Sequence, residues 1–472
     1  MTAGMAPYAG DERHFTVYIA RLCLVCLVLL NAACARFNAV DQPLKKWTPE
    51  QQQHADQQIE GDRSPEYAVL LAFSGGGARA SSFAYGVLKE LANTQIMTAK
   101  GSRSLLTEVD KISSVSGGSF TAAYYGLHGE QTFTDFESLF LRKDVEHILF
   151  RQLFNPINWF RLLSGTYGRA DLAAAYYDKH LFHGATFADL QRTDAPTVII
   201  NATDVATGIR FPFSQSAFDL LCADRSVYPV SRAVAASSAV PIVFSPITLE
   251  SFAGSCGFQP PAWLAEAEKD TVPTRRKIAA RGLRDYLDAK KRPWLHLMDG
   301  GISDNLGLRS YYDTMNIIAD PDARAEVLNQ EEVRHILIVS VNARARHKDG
   351  WVLERVAPSL LEILGSVSAD EIGRYSDDTI ELVRSTFKQW TEEKPSEGSS
   401  RTFHFVDVSF DQVSDKSERD FLNGIGTNFD LSDAQVDRLI AAAGKVLRES
   451  LEFKAFMKMS QGTAPALHPV AP

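Results

Sequence analysis

Three glycine-rich segments, far apart in the chain, carry the groups that acyl transfer needs. Ser114-Val115-Ser116-Gly117-Gly118 sets a serine among small residues. A strand turning sharply into a helix at that point would expose the hydroxyl and aim the helix N-terminus at it. Asp299-Gly300-Gly301 offers a carboxylate. An aspartate can take a serine proton directly if the oxyanion that follows is strongly stabilised. Ser74-Gly75-Gly76-Gly77-Ala78-Arg79 supplies the candidate oxyanion donors, the N–H groups of Gly75, Gly76 and Gly77, with Gly117 beside the serine as a further one. Alone, each segment has a plainer reading as a turn or a helix cap; together they predict a serine hydrolase with a Ser116–Asp299 centre. His296 is the candidate third member of an ordinary triad. It lies three residues before Asp299, so on a shared strand it faces the opposite way and reads as structural.

The elements that must position these groups follow from apolar periodicity. Tyr67 to Phe73 is a continuous apolar run before the glycine cluster, as a central parallel strand requires. Ala80 to Leu91 has helical spacing in Phe83, Val87, Leu88 and Leu91. Further strands are expected at Val109–Val115, Thr197–Ala202, Trp294–Met298, His335–Val341 and Thr402–Phe410. Helices are expected from about Gly117, over 352–390 and from Ser432 to Phe456. The alternation predicts α/β architecture: a mostly parallel central sheet between helical layers. Two helical insertions interrupt it. Residues 131–190 are rich in aromatics, and 258–293 are basic. Within the first, Val145–Leu163 mixes large apolar residues with Arg151 and Arg161. It fits a packed cap pair better than a segment that dips into a membrane surface. Gly168-Arg169-Ala170-Asp171 is a further candidate cap contact. Residues 275–292 fit a solvated basic helix better than an anionic-lipid site.

The chain has 472 residues, 45% of them hydrophobic and 23% charged, enough for one large α/β unit with extensions. A net charge of -9 gives no ground for a nucleic-acid partner. A nucleotide is not expected either: no Gly-Lys-Ser/Thr phosphate loop occurs, and Ala80 breaks the dinucleotide-binding spacing. The one Cys-x-x-Cys, Cys23-Leu24-Val25-Cys26, lies in the apolar N-terminal targeting stretch and does not read as a zinc site, so neither metal nor cofactor is expected. Near the N-terminus, Leu22–Leu30 is apolar, Arg21 precedes it, and Asn31-Ala32-Ala33-Cys34 follows. This is the layout of a secretory signal. It also resembles a bacterial lipoprotein signal lipidated at Cys34, although Asn31 stands where an aliphatic residue is usual. A plain cleaved signal and an uncleaved anchor are the alternatives. A polar tether is expected over 35–65 and a frayed tail over 464–472. Cys222 and Cys256 fit a disulfide or two buried thiols equally well.

With its segments in this order, the chain resembles the patatin-like phospholipases. The Gly-Gly-Gly-x-Arg loop, the x-Ser-x-Gly elbow and Asp299-Gly300-Gly301-Ile302-Ser303-Asp304-Asn305 match that family's core motifs. Ala235-Ala236-Ser237-Ser238-Ala239-Val240-Pro241, followed by Phe244, resembles its Ala-Ser-rich helix end. Ser114, where the family's elbow has glycine, is the one departure. The resemblance spans about 66–345, which makes that stretch the catalytic domain and 346–463 a mainly helical extension packed on it. Asn428-Phe429-Asp430-Leu431 in that extension resembles some bacterial members. The resemblance implies a three-layer patatin-like α/β/α fold, a metal-free Ser116–Asp299 dyad, and a lipid or phospholipid substrate cleaved through an acyl-enzyme. The lipoprotein-type leader implies the bacterial cell envelope as location, with lipid anchoring at Cys34, and a membrane surface as partner. Arg79 would meet the lipid head group or steady the glycine loop. The alternatives are an acyltransferase on the same dyad and a non-catalytic lipid-binding lipoprotein.

Overall fold

The computed structural model describes residues 41–49, 61–317, 333–346, 355, 357–392 and 401–462. The targeting segment with Cys34 and the tail at 464–472 lie outside these residues.

An apolar run needs cover on both faces, and β1 (Tyr67–Phe73) is buried at every position. Val69, Leu71 and Phe73 join one apolar core, while Ala68, Leu70 and Ala72 join another on the opposite face. That period of two makes the sheet the middle of three layers. The chain continues through α1 (Gly77–Asn93), a hairpin of β2 (Gln95–Thr98) and β3 (Gly101–Ser104), β4 (Val109–Val115) and α2 (Gly117–His128). The aromatic insertion contributes α3 (Val145–Leu153), α4 (Pro156–Leu162) and α5 (Arg169–Tyr177). Then follow β5 (Thr197–Asp204), β6 (Ile209–Pro212), α6 (Val230–Ser237), β7 (Ile247–Glu250), α7 (Arg275–Arg284), β8 (Trp294–Asp299) and β9 (His335–Asn342). The chain ends with α8 (Leu360–Glu392), β10 (Thr402–Ser409), α9 (Asp433–Glu449) and α10 (Leu451–Gly462).

The strand order is β10-β9-β1-β4-β5-β8-β7, with β6 paired to β5. The five strands from β10 to β5 are mutually parallel. At the other edge, β8 runs antiparallel to both β5 and β7. The sheet is therefore mostly parallel, as expected, but the strand that ends at Asp299 is one of the exceptions. Ser432 to Phe456 is two helices rather than one. Ser432 and Gln435 form a capping box that starts α9, and Ser450, at ψ 131, breaks the helix before α10 begins.

Cys222 and Cys256 are joined in a disulfide. Part of the stretch expected to be a polar tether docks beside it. Leu44 N–H donates to Cys222 O at 2.8 Å and Trp47 N–H to Cys256 O at 2.9 Å, and the Trp47 ring meets Phe258 edge-on.

Candidate active site

Ser116 stands between β4 and α2 with φ 48 and ψ -120, a backbone conformation that residues other than glycine rarely adopt. Such a residue costs about 1–3 kcal/mol and persists only where its surroundings hold it. Ser116 N–H donates to Ser237 Oγ at 2.8 Å, and Gly118 N–H donates to Ser74 O at 3.2 Å. Ser114, the departure from glycine, is fully buried, and its hydroxyl donates to Ile199 O of β5 at 3.2 Å. The elbow therefore accommodates a side chain there by giving its oxygen a partner on the next strand.

Sheet register brings the carboxylate to the serine. Val115 pairs with Asn201 on β5, and the next β5 residue, Ala202, pairs with Asp299 on β8. Ser116 and Asp299 thus arrive on opposite sides of Ala202, whose small side chain leaves room between them. The two are not on neighbouring strands, because β5 lies between them. β8 reaches that rim from beyond the end of β5, against the direction of the parallel strands. Even so, the Ser116 side chain comes close enough to the Asp299 carboxyl to help hold its pKa down. Asp299 is 8% exposed, and burial pushes its carboxyl up to about 6, against the lowering effect of the Gly301 N–H and Ser116. Gly301 N–H donates to Asp299 Oδ1 at 2.7 Å, while Thr203 Oγ1 donates to the Asp299 carbonyl at 2.8 Å.

One helix end ties the two halves together. Ser237, the last residue of α6, accepts from Ser116 N–H and donates to Asn201 O at 2.6 Å. Its carbonyl accepts Gly300 N–H at 3.1 Å, and Ala239 O accepts Asp299 N–H at 3.0 Å. The Ala-Ser-rich stretch was visible as a motif, but nothing in its spacing told which hydroxyl meets Ser116.

The glycine loop packs against the elbow. Gly76 adopts φ 138, which excludes nearly every side chain. Gly77 and Gly117 are the first residues of α1 and α2, and Gly76 is the cap of α1. The first N–H groups of a helix lack intrahelical acceptors and so suit an oxyanion. Gly75 departs from expectation: its N–H already donates to Asn305 O at 2.9 Å, so it is a loop anchor rather than an oxyanion donor.

Residues 71–311 match a family model described as patatin-like phospholipase. The chain belongs to that family. No curated protein matches it. Among solved structures it is similar to human GIVD cytosolic phospholipase A2, at 15% identity and a TM-score of 0.42, covering 89% of this chain and 66% of that one. It is also similar to the same human enzyme in complex with methyl gamma-linolenyl fluorophosphonate, at 13% identity and a TM-score of 0.41, covering 90% of this chain and 67% of that one. The chain therefore spans about two thirds of the length of these structures. Family membership supports a lipid acyl hydrolase.

In this patatin-like phospholipase Arg79 is not placed to meet substrate. It is 4% exposed and donates to Ala343 O at 2.8 Å, Ile425 O at 2.5 Å and Thr427 Oγ1 at 3.0 Å. Burial pulls its guanidinium down to about 10. These three acceptors satisfy a cation that no longer faces water. Ala78 N–H also donates to Asn428 O, so the 425–428 segment buttresses the glycine loop from behind. His296 is exposed and pairs with Thr248 Oγ1 at 3.0 Å through Nδ1, away from the site, as the strand alternation required. Among the described residues no three His, Cys, Asp or Glu side chains converge as metal ligands.

Proposed function

We propose that this chain hydrolyses acyl esters of lipids, in the manner of a phospholipase A or lysophospholipase, through a Ser116–Asp299 dyad and an acyl-enzyme. The juxtaposition of a serine on strained backbone and a buried carboxylate whose pKa is pushed up to about 6 carries this reading. Asp299 accepts the Ser116 proton as Oγ attacks the acyl carbonyl. The N–H groups of Gly76, Gly77 and Gly117 hold the oxyanion. When the intermediate collapses, the C–O bond to the leaving alcohol breaks and Asp299 returns the proton to that oxygen. Water, deprotonated by Asp299, attacks the acyl-enzyme, releases the fatty acid and restores the serine.

The disulfide supports an oxidising compartment. Together with the leader and Cys34, it supports the reading that the enzyme works in a bacterial envelope against a membrane surface. The test is a panel of phospholipids, lysophospholipids and neutral lipids given to the parent protein and to Ser116→Ala. The parent is expected to release fatty acids and to react with a fluorophosphonate probe. The variant should do neither, with its melting temperature preserved. Release of fatty acid by the variant at the parent's rate would sink the dyad.

A further inference from the structure

The surface beside the dyad carries large apolar side chains that the fold leaves uncovered. The Val240–Phe244 turn begins one residue after Ala239, whose carbonyl accepts the Asp299 N–H. In that turn Ile242 is 63% and Val243 55% exposed. Ile242 also sits at φ 74, a conformation strongly disfavoured for a β-branched residue. Burial cannot explain the tip, because its side chains face outward. It is held instead by Arg169, which donates to Ile242 O at 2.9 Å, and by Ser245 Oγ, which accepts Ala170 N–H at 3.2 Å.

Both anchors lie at the start of α5, and the chain leading into it is the α3–α4 pair. There Phe154 and Leu163 are each 63% exposed and Trp159 is 54% exposed. The Phe150 and Phe154 rings pack on each other at 5.2 Å rather than into the core. Trp159 Nε1 donates to Leu153 O, which fixes the indole at the junction of the two helices. The packed cap pair expected from the sequence is thus only half packed. Beyond the first turn of α3, where Glu146 accepts Phe429 N–H, its charge is one-sided as well. From Phe150 to Arg169 there are three arginines, Arg151, Arg161 and Arg169, all exposed, and no carboxylate, in a protein whose net charge is -9.

We propose that the outward side of α3 and α4, together with the Ile242–Val243 tip, is the face by which this enzyme seats on an anionic lipid bilayer. Phenylalanine and tryptophan enter the acyl boundary, the arginines meet head-group phosphates, and the tip brings the membrane to the edge of the dyad. A second protein copy fits less well, because two such faces would bring like charges together. The proposal rests on the reading of the chain as a lipid hydrolase, but its test does not depend on turnover.

The test uses the full chain carrying Ser116→Ala, mixed with phosphatidylglycerol-rich vesicles whose acyl chains are brominated. Brominated chains should quench a component of tryptophan fluorescence that is missing in an added Trp159→Phe variant. Phe154→Ser and Ile242→Ser should each weaken the binding measured by this quenching about tenfold or more. Phosphatidylcholine vesicles should bind more weakly than anionic ones. Equal quenching with and without Trp159 would overturn the proposal, as would unchanged affinity in both polar variants. So would vesicle binding unaffected by variants that instead dissolve a dimer in sedimentation velocity. If the parent cleaves no lipid yet Trp159 enters the bilayer, the hydrolase reading fails and this surface stands.

Discussion

At the level of single residues, the proposed dyad depends on a carboxylate kept away from water. Its raised pKa means that the ionised form is disfavoured in the folded protein. Below the unfolded value of 3.8 this costs nothing, and the cost grows as pH rises through about 6. Asp299→Asn should therefore abolish hydrolysis yet stabilise the fold at pH 7, by about 1–3 kcal/mol. That gain should vanish below about pH 4 in thermal melts. A variant less stable than the parent at neutral pH would show that the charge is better compensated than its burial suggests. For the parent, kcat/KM should rise with pH through an acid limb near 6, since the base must be ionised; a flat profile from pH 5 to 8 would exclude Asp299 as base. Ser237 stands one step back from the proposed chemistry, holding the Ser116 backbone through a fully buried hydroxyl. Ser237→Ala leaves the Ser116 N–H without that acceptor. It should lower kcat by about tenfold to a hundredfold while KM and the acid-limb midpoint stay put. Unchanged kcat would demote Ser237 to packing.

At the level of elements, the proposed catalysis depends on two helices whose N-termini meet at the glycine loop, and on what holds those helices down. α1 crosses α9 closely. A Cβ at Gly86 would stand 2.6 Å from Ile440 O and 2.9 Å from Ala443 Cβ, so glycine is the residue that permits this approach. Gly86→Val should destabilise the protein by about 1–3 kcal/mol in denaturant titration through overpacking and backbone displacement. Midpoints equal within error would mean that the helices separate at no cost. The helical pattern of α1 was legible because Phe83, Val87, Leu88 and Leu91 share one buried stripe. Its partner could not be named from the sequence, because α9 lies some 350 residues further on and nothing local distinguishes one apolar helix face from another. The same holds for Arg79. Its motif was legible, but its direction was not. The acceptors that turn it inward come from 343 and from 425 and 427, beyond the reach of any local pattern.

At the level of the whole molecule, the strap at 41–47 and the disulfide join the N-terminal side of the described chain to the β7 edge of the sheet. Asp41 Oδ2 accepts Glu250 N–H at 2.9 Å, next to the bonds made by Leu44 and Trp47. The Cys222–Cys256 link closes a loop with a sequence separation of 34. Reducing it should lower stability by about 2–4 kcal/mol. The strap should loosen with it, which would appear as faster amide exchange at Leu44 and Trp47. Exchange that does not change on reduction would mean that hydrogen bonds and the Trp47–Phe258 contact suffice. Sequence alone left the pairing of these cysteines open, since spacing says nothing of distance in space.

The chemical cast and the strands that bear it were set by local sequence. Small residues mark where backbones crowd, apolar runs mark strands that are covered on both faces, and helical periodicity marks which side of a helix is buried. These signals act within a few residues, so they survive without a structure. What only the tertiary structure decided is who meets whom. It ran β8 against its neighbours and still brought Asp299 level with Ser116 across Ala202. It consumed the Gly75 N–H, buried Arg79 and left Ile242 and Trp159 facing outward. Each of these outcomes rests on hydrogen bonds and packing between segments tens to hundreds of residues apart, where the free energy depends on the assembled whole and no short stretch carries the information.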